Sequence, residues 1–226
     1  MEGHPFERTE MLLGPEAMET LAGARVAIFG VGGVGGSCAE ALARCGIGSI
    51  DLYDNDIVSI TNLNRQIVAL RSTIGRYKAD VMAERIKDIN LDCVIGAHKV
   101  FYMPDTAGGV DIGQYDYIVD AIDTVTGKIE LIIRAREAGV RIISSMGAGN
   151  RLDPALFVVT DVFKTEGDPL AKVMRKELRA RGISELKVVW SKEPPAGGNP
   201  PSSISFVPPA CGLILAGEVV KDLISR

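Results

Sequence analysis

The sequence predicts an α/β fold, a Rossmann-like doubly wound and mostly parallel sheet with a C-terminal extension, on three observations. Short Val/Ile-rich runs alternate with segments of helical apolar spacing. One such run opens directly into a glycine-rich turn and a helix. No internal repeat interrupts the alternation. Strands of this composition must be covered on both faces, and helices wound to either side do that.

Arg25-Val-Ala-Ile-Phe29 reads as a buried strand running into Gly30-Val-Gly-Gly-Val-Gly35 and a helix through Cys45, stopped by Gly46. Ser49 to Tyr53 is the next strand. Arg76 to Asn90 has helical spacing, with Met82, Ile86 and Ile89 on one face and charges opposite. Val94 to Val100 and Tyr117 to Ile122 are strands, Thr126 to Ala138 a helix with Gly139 as its stop, and Arg141 to Ser145 the fifth strand. Beyond Ser145 the rhythm changes. Phe157 to Val162 and Leu186 to Trp190 are strand-like, Pro169 to Arg181 is a basic helix, and Glu193 to Ser203 is a Pro/Gly/Ser loop before Ser205 to Val207. The apolar stretch Cys211 to Val220 reads as a packed terminal helix. The expected organisation is one domain over residues 1–226, with a nucleotide-binding part over 1–150 and a specificity extension over 151–226.

Of the 226 residues, 46% are hydrophobic and 24% charged, which excludes a disordered tail, a collagen or a disulfide mini-protein. Twenty-five Lys and Arg against 29 Asp and Glu leave a formal charge of −4, so any contact with RNA must be local. Cys38, Cys45, Cys93 and Cys211 form no C-x-x-C pair, which disfavours a zinc knuckle and points to a reducing, cytoplasmic setting. No segment approaches the roughly 18 apolar residues of a membrane span, and His4 and His98 are isolated.

The glycine loop carries the first chemistry. Gly30, Gly32 and Gly35 form G-x-G-x-x-G between a strand and a helix, with Gly33 inside it. There the backbone can approach phosphate and the helix N-terminus supplies free N–H groups. Asp54, just past the second strand, is placed to accept hydrogen bonds from ribose hydroxyls. These features point to an adenine nucleotide without choosing between NAD and ATP. The run that follows chooses. Asp56, Asn62, Asn64, Arg65 and Gln66 come directly after Asp54, and Lys78 follows. Hydride transfer does not need two cations at that end of a cofactor, whereas cleavage between the α- and β-phosphates does.

With these residues assembled, the chain resembles the ubiquitin-activating-type, ThiF-like adenylating family. The resemblance rests on the G-x-G-G-x-G loop, the D-x-D-x-V-x-x-T-N-x-N-R-Q run, the I-G-x-x-K step and Val119-Asp-Ala-Ile-Asp123. It implies that Asp54 binds ribose, that Asn62, Arg65, Gln66 and Lys78 hold the ATP phosphates, and that Asp123 binds Mg²⁺. Arg8, in Arg8-Thr-Glu-Met-Leu-Leu-Gly14, resembles an arginine that reaches the partner subunit's ATP site, which implies a homodimer. The zinc-binding cysteine pairs of sulfur-carrier activators are absent. Ser144 to Pro154, Asp168 to Ile183 and Lys187 to Pro195 instead resemble the tRNA threonylcarbamoyladenosine dehydratase branch. That branch implies an acyl-AMP formed on a modified tRNA adenosine, followed by ring closure. A sulfur-trafficking protein is a further partner that the resemblance leaves open.

A nucleophile tethered to the activated acyl group makes a protein cysteine unnecessary, so Cys211 is read as a packing residue. Lys172, Arg175, Lys176 and Arg179 fall at helical spacing on one stripe, opposite Leu170, Val173 and Leu178. They are the candidate phosphate contacts of tRNA, with Trp190 and Lys192 nearby as a stacking element. Two other readings stand beside this one. An activator of a ubiquitin-like sulfur carrier would take a protein C-terminus as substrate. A non-catalytic nucleotide-sensing adaptor would have no use for the full set Arg8, Arg65, Lys78 and Asp123.

Overall fold

The computed structural model describes residues 3–198 and 201–225, so the tip of the predicted loop at 199–200 lies outside it. Among these residues seven strands form one sheet: β1 Arg25–Phe29, β2 Ser49–Tyr53, β3 Val94–His98, β4 Tyr117–Asp120, β5 Arg141–Ser145, β6 Phe157–Asp161 and β7 Lys187–Ser191. Their order is β3-β2-β1-β4-β5-β7-β6, all parallel except β6, which pairs antiparallel with β7 at the edge. The helices are α1 Glu7–Leu13, α2 Pro15–Gly23, α3 Gly33–Arg44, α4 Lys78–Ile89, α5 Val125–Glu137, α6 Pro169–Ala180 and α7 Val207–Ile224.

The period-two alternation of β1 shows how the core divides. Val26 and Ile28 join the apolar layer under α3, α4 and α7, while Ala27 and Phe29 face the opposite layer with Tyr53, Tyr102 and Leu131. Each fully buried Ile, Leu or Phe contributes about 1.5–3 kcal/mol relative to exposure. A third cluster, with Met174, Leu178, Val188 and Trp190, seats α6 against α5 and β7. The later segment therefore extends the same sheet.

Several ends differ from the sequence reading. The fourth helix begins at Lys78 rather than Arg76, because Tyr77 is extended (φ −63°, ψ 134°). β3 stops at His98, and β4 stops at Asp120, where Oδ1 accepts a hydrogen bond from the Ile122 N–H at 3.1 Å and turns the chain. Val207 opens α7, so the apolar run at the end is one longer helix. α1 and α2 precede β1, separated by Gly14 at φ 84°.

The chain crosses from β3 at one edge back to β4 beside β1, which places the topological switch between β1 and β4. In open sheets of this kind the ligand crevice forms there, outside the carboxyl ends of the strands. β1 and β2 pair flush from Arg25↔Ser49 to Phe29↔Tyr53, so the glycine loop and Asp54 emerge side by side.

Candidate active site

A cleft of about 1020 Å³ opens at that switch. It is lined by Gly30, Gly32 and Gly33 after β1, Asp54 and Asp56 after β2, Asp123 after β4, and Met146 to Arg151 after β5. Asn62, Arg65, Gln66 and Lys78 line it as well, so one half of the cleft collects these motif residues. The glycines divide their work. Gly30 sits at φ 89°, and a Cβ there would lie 2.5 Å from the Ala121 carbonyl oxygen. Gly35 faces away from the cleft, and a Cβ on it would overlap the Gly30 carbonyl oxygen, so it serves the strand-to-helix turn.

Asp54 is buried, and its oxygens accept from the Val31 N–H at 2.6 Å and the Asp56 N–H at 2.8 Å. Burial pushes its carboxyl above the usual range, and those two N–H groups oppose the shift. A carboxylate has about four lone-pair sites, which leaves acceptors for a ribose. Lys78 Nζ lies 2.7 Å from Asp56 Oδ2; the Lys78 side chain is 7% exposed and that of Asp56 63%. Arg65 Nη1 donates to the Thr61 carbonyl at 3.1 Å and to Asn64 Oδ1 at 2.9 Å, and makes no ion pair among the described residues. Gln66 Oε1 and the Tyr102 hydroxyl, both in the cleft wall, are buried without a hydrogen-bond partner among the described residues. These orphaned groups, with the glycine turn that lines the cleft beside them, fit a polar ligand such as an adenine nucleotide.

No group of three or more His, Cys, Asp or Glu side chains that could hold a metal occurs among the described residues. A divalent ion here would rest on exposed Asp123 and on nucleotide phosphates, the usual manner for Mg²⁺. Sequence reasoning passed over the groups behind Asp123. Lys128, fully buried on α5, donates to Asp120 Oδ2 at 3.1 Å, to Ser144 Oγ at 3.3 Å and to the Ser145 carbonyl at 2.9 Å. Its signal was legible: Lys128 stands on the same helical stripe as Leu131, Ile132 and Ala135, where an unpaired cation would be untenable.

The other half of the cleft is built by the β5–β6 turn, the start of α6 and the 193–203 loop. Arg151 and Asp168, each with a side chain 1% exposed, pair at 2.5 Å. Asn150, at φ 58°, ties the loop down through five hydrogen bonds. Its N–H donates to the Ser202 carbonyl and its carbonyl accepts from Ala196 N–H. Its Nδ2 donates to the Gly198 carbonyl, and its Oδ1 accepts from the Ser202 N–H and hydroxyl.

Arg8 lies on α1, exposed and outside its own chain's cleft. The α6 stripe is split. Lys172, Lys176 and Arg179 are exposed, but Arg175 turns inward and donates from Nη1 to the Thr165 carbonyl at 2.9 Å and Oγ1 at 2.5 Å, so it acts as a clasp. Val173 is 41% exposed and stands on the basic side of the helix, not opposite it. Trp190 is buried in the third core cluster and offers no face to a base. Cys211 is fully buried in α7, where burial pushes its thiol up to about 12. No helix of the described residues is long and apolar enough to cross a membrane.

The comparisons agree with this geometry. A tRNA threonylcarbamoyladenosine dehydratase of Bacillus subtilis is 45% identical over 98% of this chain and 95% of its own length. Its Escherichia coli counterpart is 44% identical over 77% of this chain and 65% of its own length. Crystal structures of the E. coli enzyme in complex with AMP and with ATP superpose with TM-scores of 0.93 and 0.92, at 36% and 37% identity, covering 98% of this chain and 94% of theirs. The ThiF family matches over residues 6–226, and the chain belongs to the ThiF family.

Proposed function

We propose that this protein is an ATP-dependent tRNA threonylcarbamoyladenosine dehydratase, an adenylating cyclase of the ligase type that works as a homodimer with Mg²⁺. The observation that carries the reading is the reach of the likeness: 98% of this chain and 95% of the B. subtilis dehydratase align, so both halves of the cleft are included.

In this reading Asp54 holds the ribose of ATP, and Gly30, Gly32, Gly33, Asn62, Gln66, Arg65 and Lys78 surround the phosphates. Asp123 would hold Mg²⁺, which would supply neutralisation of charge on the phosphate oxygens. A carboxylate oxygen of the threonylcarbamoyl group attacks the α-phosphorus, the bond to the β-phosphate breaks, and pyrophosphate leaves. A nucleophile of the same modified base then attacks the acyl carbon, the bond to the AMP oxygen breaks, and a proton is lost from the nucleophile. Tethering of nucleophile to acyl group supplies up to roughly 7–11 kcal/mol in favourable geometry. No thiol is needed, and the raised pKa of Cys211 suits that economy. Lys172, Lys176 and Arg179 contact tRNA phosphates from α6.

Two features favour a second copy. α1 buries none of its residues, and Met11 and Leu12 are each 82% exposed. Arg8 on the same helix cannot serve its own cleft as folded, so the copy that covers α1 receives Arg8 in its ATP site. The test is ATP–pyrophosphate exchange with purified modified tRNA against a panel of sulfur-carrier proteins, with the cyclic nucleoside followed by mass spectrometry. Exchange and cyclisation with tRNA are expected. Exchange stimulated by carrier proteins alone would replace this reading with the carrier-activating one. Mixing Arg8→Ala with Asp123→Ala subunits restores activity in the mixed dimer if Arg8 acts across the interface; no restoration removes the trans role.

A further inference from the structure

Arg151 is held through two of its guanidinium nitrogens and unused at the third. Its Nε donates to the Gly147 carbonyl at 2.8 Å, and its Nη2 to Asp168 Oδ2 at 2.5 Å. Asp168 is itself fixed, because its Oδ1 accepts from the Ala171 N–H at 2.8 Å and caps α6. The residue is 5% exposed, yet Nη1 is buried with no hydrogen-bond partner among the described residues. Arg151, Gly147 and Asp168 all line the cleft. A second orphan stands in the same half, the buried hydroxyl of Ser203, which also lines it.

Such orphaned donors lower stability unless something binds to them. What binds is constrained by charge. Asp168 already neutralises the guanidinium, so a carboxylate added at Nη1 would leave an unbalanced negative charge in a buried site. A neutral carbonyl oxygen satisfies the donor without that cost. We infer that Arg151 is a specificity-determining residue: its Nη1 donates to the neutral carbamoyl carbonyl of the threonylcarbamoyl group, leaving the carboxylate of the same group free to attack ATP. This assignment rests on the function proposed above and adds which atom of the substrate is read, and by which residue.

The test pairs a protein change with a substrate change. Cyclisation is measured on an RNA stem-loop carrying threonylcarbamoyladenosine and on one in which sulfur, a poorer acceptor, replaces the carbamoyl oxygen. Wild type, Arg151→Gln and Arg151→Lys are compared, with ATP affinity measured separately. Wild type is expected to lose about ten- to hundredfold in kcat/KM on the sulfur substrate, the range of a hydrogen bond to a charged group. Arg151→Gln should raise the stem-loop KM, leave ATP affinity unchanged and abolish the difference between the two substrates. Arg151→Lys keeps a cation beside Asp168 and lacks Nη1, so it gives the same result if the glutamine variant does not fold. A wild type indifferent to the sulfur, or variants that retain the full sulfur penalty, overturns the assignment and leaves the dehydratase reading standing. A wild type that leaves the ordinary stem-loop unchanged overturns both.

Discussion

The two halves of the cleft hold their cations differently. Lys78 pairs with Asp56, whose carboxylate is largely in water, while Arg151 pairs with Asp168 and neither partner meets solvent. A cation whose partner is solvated can exchange it for a phosphate at small cost, since the released carboxylate is hydrated where it stands. A cation locked to a buried, helix-capping carboxylate keeps its partner and acts only through the N–H it has left. Under the proposed function, one half would follow charge that moves during the reaction and the other would recognise a fixed shape.

Lys128 and Asp120 make the locked arrangement at its extreme, both fully buried. Lys128→Met should cost about 3–5 kcal/mol by leaving Asp120 as an unpaired buried charge. Urea unfolding would measure this, and a loss under about 1 kcal/mol would show that Asp120 finds another partner. Lys78→Ala tests the exchangeable arrangement. It should lower the adenylation rate about 10²- to 10³-fold, as loss of one charge-stabilising donor does, while the folding free energy barely changes. Pyrophosphate exchange and thermal melting together read both quantities, and a large loss of stability would erase the distinction between the halves.

Outside the cleft, α6 permits a finer division. Replacing Lys172, Lys176 and Arg179 with Gln should weaken tRNA binding and flatten its salt dependence by up to about 0.9 log unit for each phosphate no longer neutralised, with ATP affinity unchanged. An unchanged salt slope in the folded variant would make the stripe an ordinary solvated face. The smallest effect is expected at Cys211. Cys211→Ala should leave cyclisation as it is, and loss of the cyclic product with acyl-AMP still formed would revive an acyl-enzyme route.

The legible part of the molecule is the part encoded locally. β1, the glycine turn, α3 and β2 could be read in order because strand period, turn glycines and helix spacing lie within some thirty consecutive residues, and parallel β1–β2 pairing then brings Gly30 and Asp54 together. Arg151 and Asp168 are seventeen residues apart, across a strand, so no spacing rule announces their contact. Arg175 shows the converse failure. Its helical position matches Lys172 and Arg179, but a side chain long enough to reach the Thr165 carbonyl leaves the stripe. Trp190 is hidden for a related reason: α5 and α6 cover that face of β7, which no local spacing announces.

Asn150 carries a consequence for how this sequence can drift. Its φ of 58° restricts the position to the few residue types that adopt a left-handed backbone at modest cost. Of these, glycine would keep the backbone and lose all three side-chain bonds to the loop. Aspartate would keep the acceptor toward Ser202 and turn a negative charge on the Gly198 carbonyl. Two independent demands, one from the backbone and one from the amide, meet in a single codon. Four of the five bonds end on backbone atoms of the loop, so its side chains can change while the hold persists, whereas a change at position 150 would release the backbone turn and the cleft wall together.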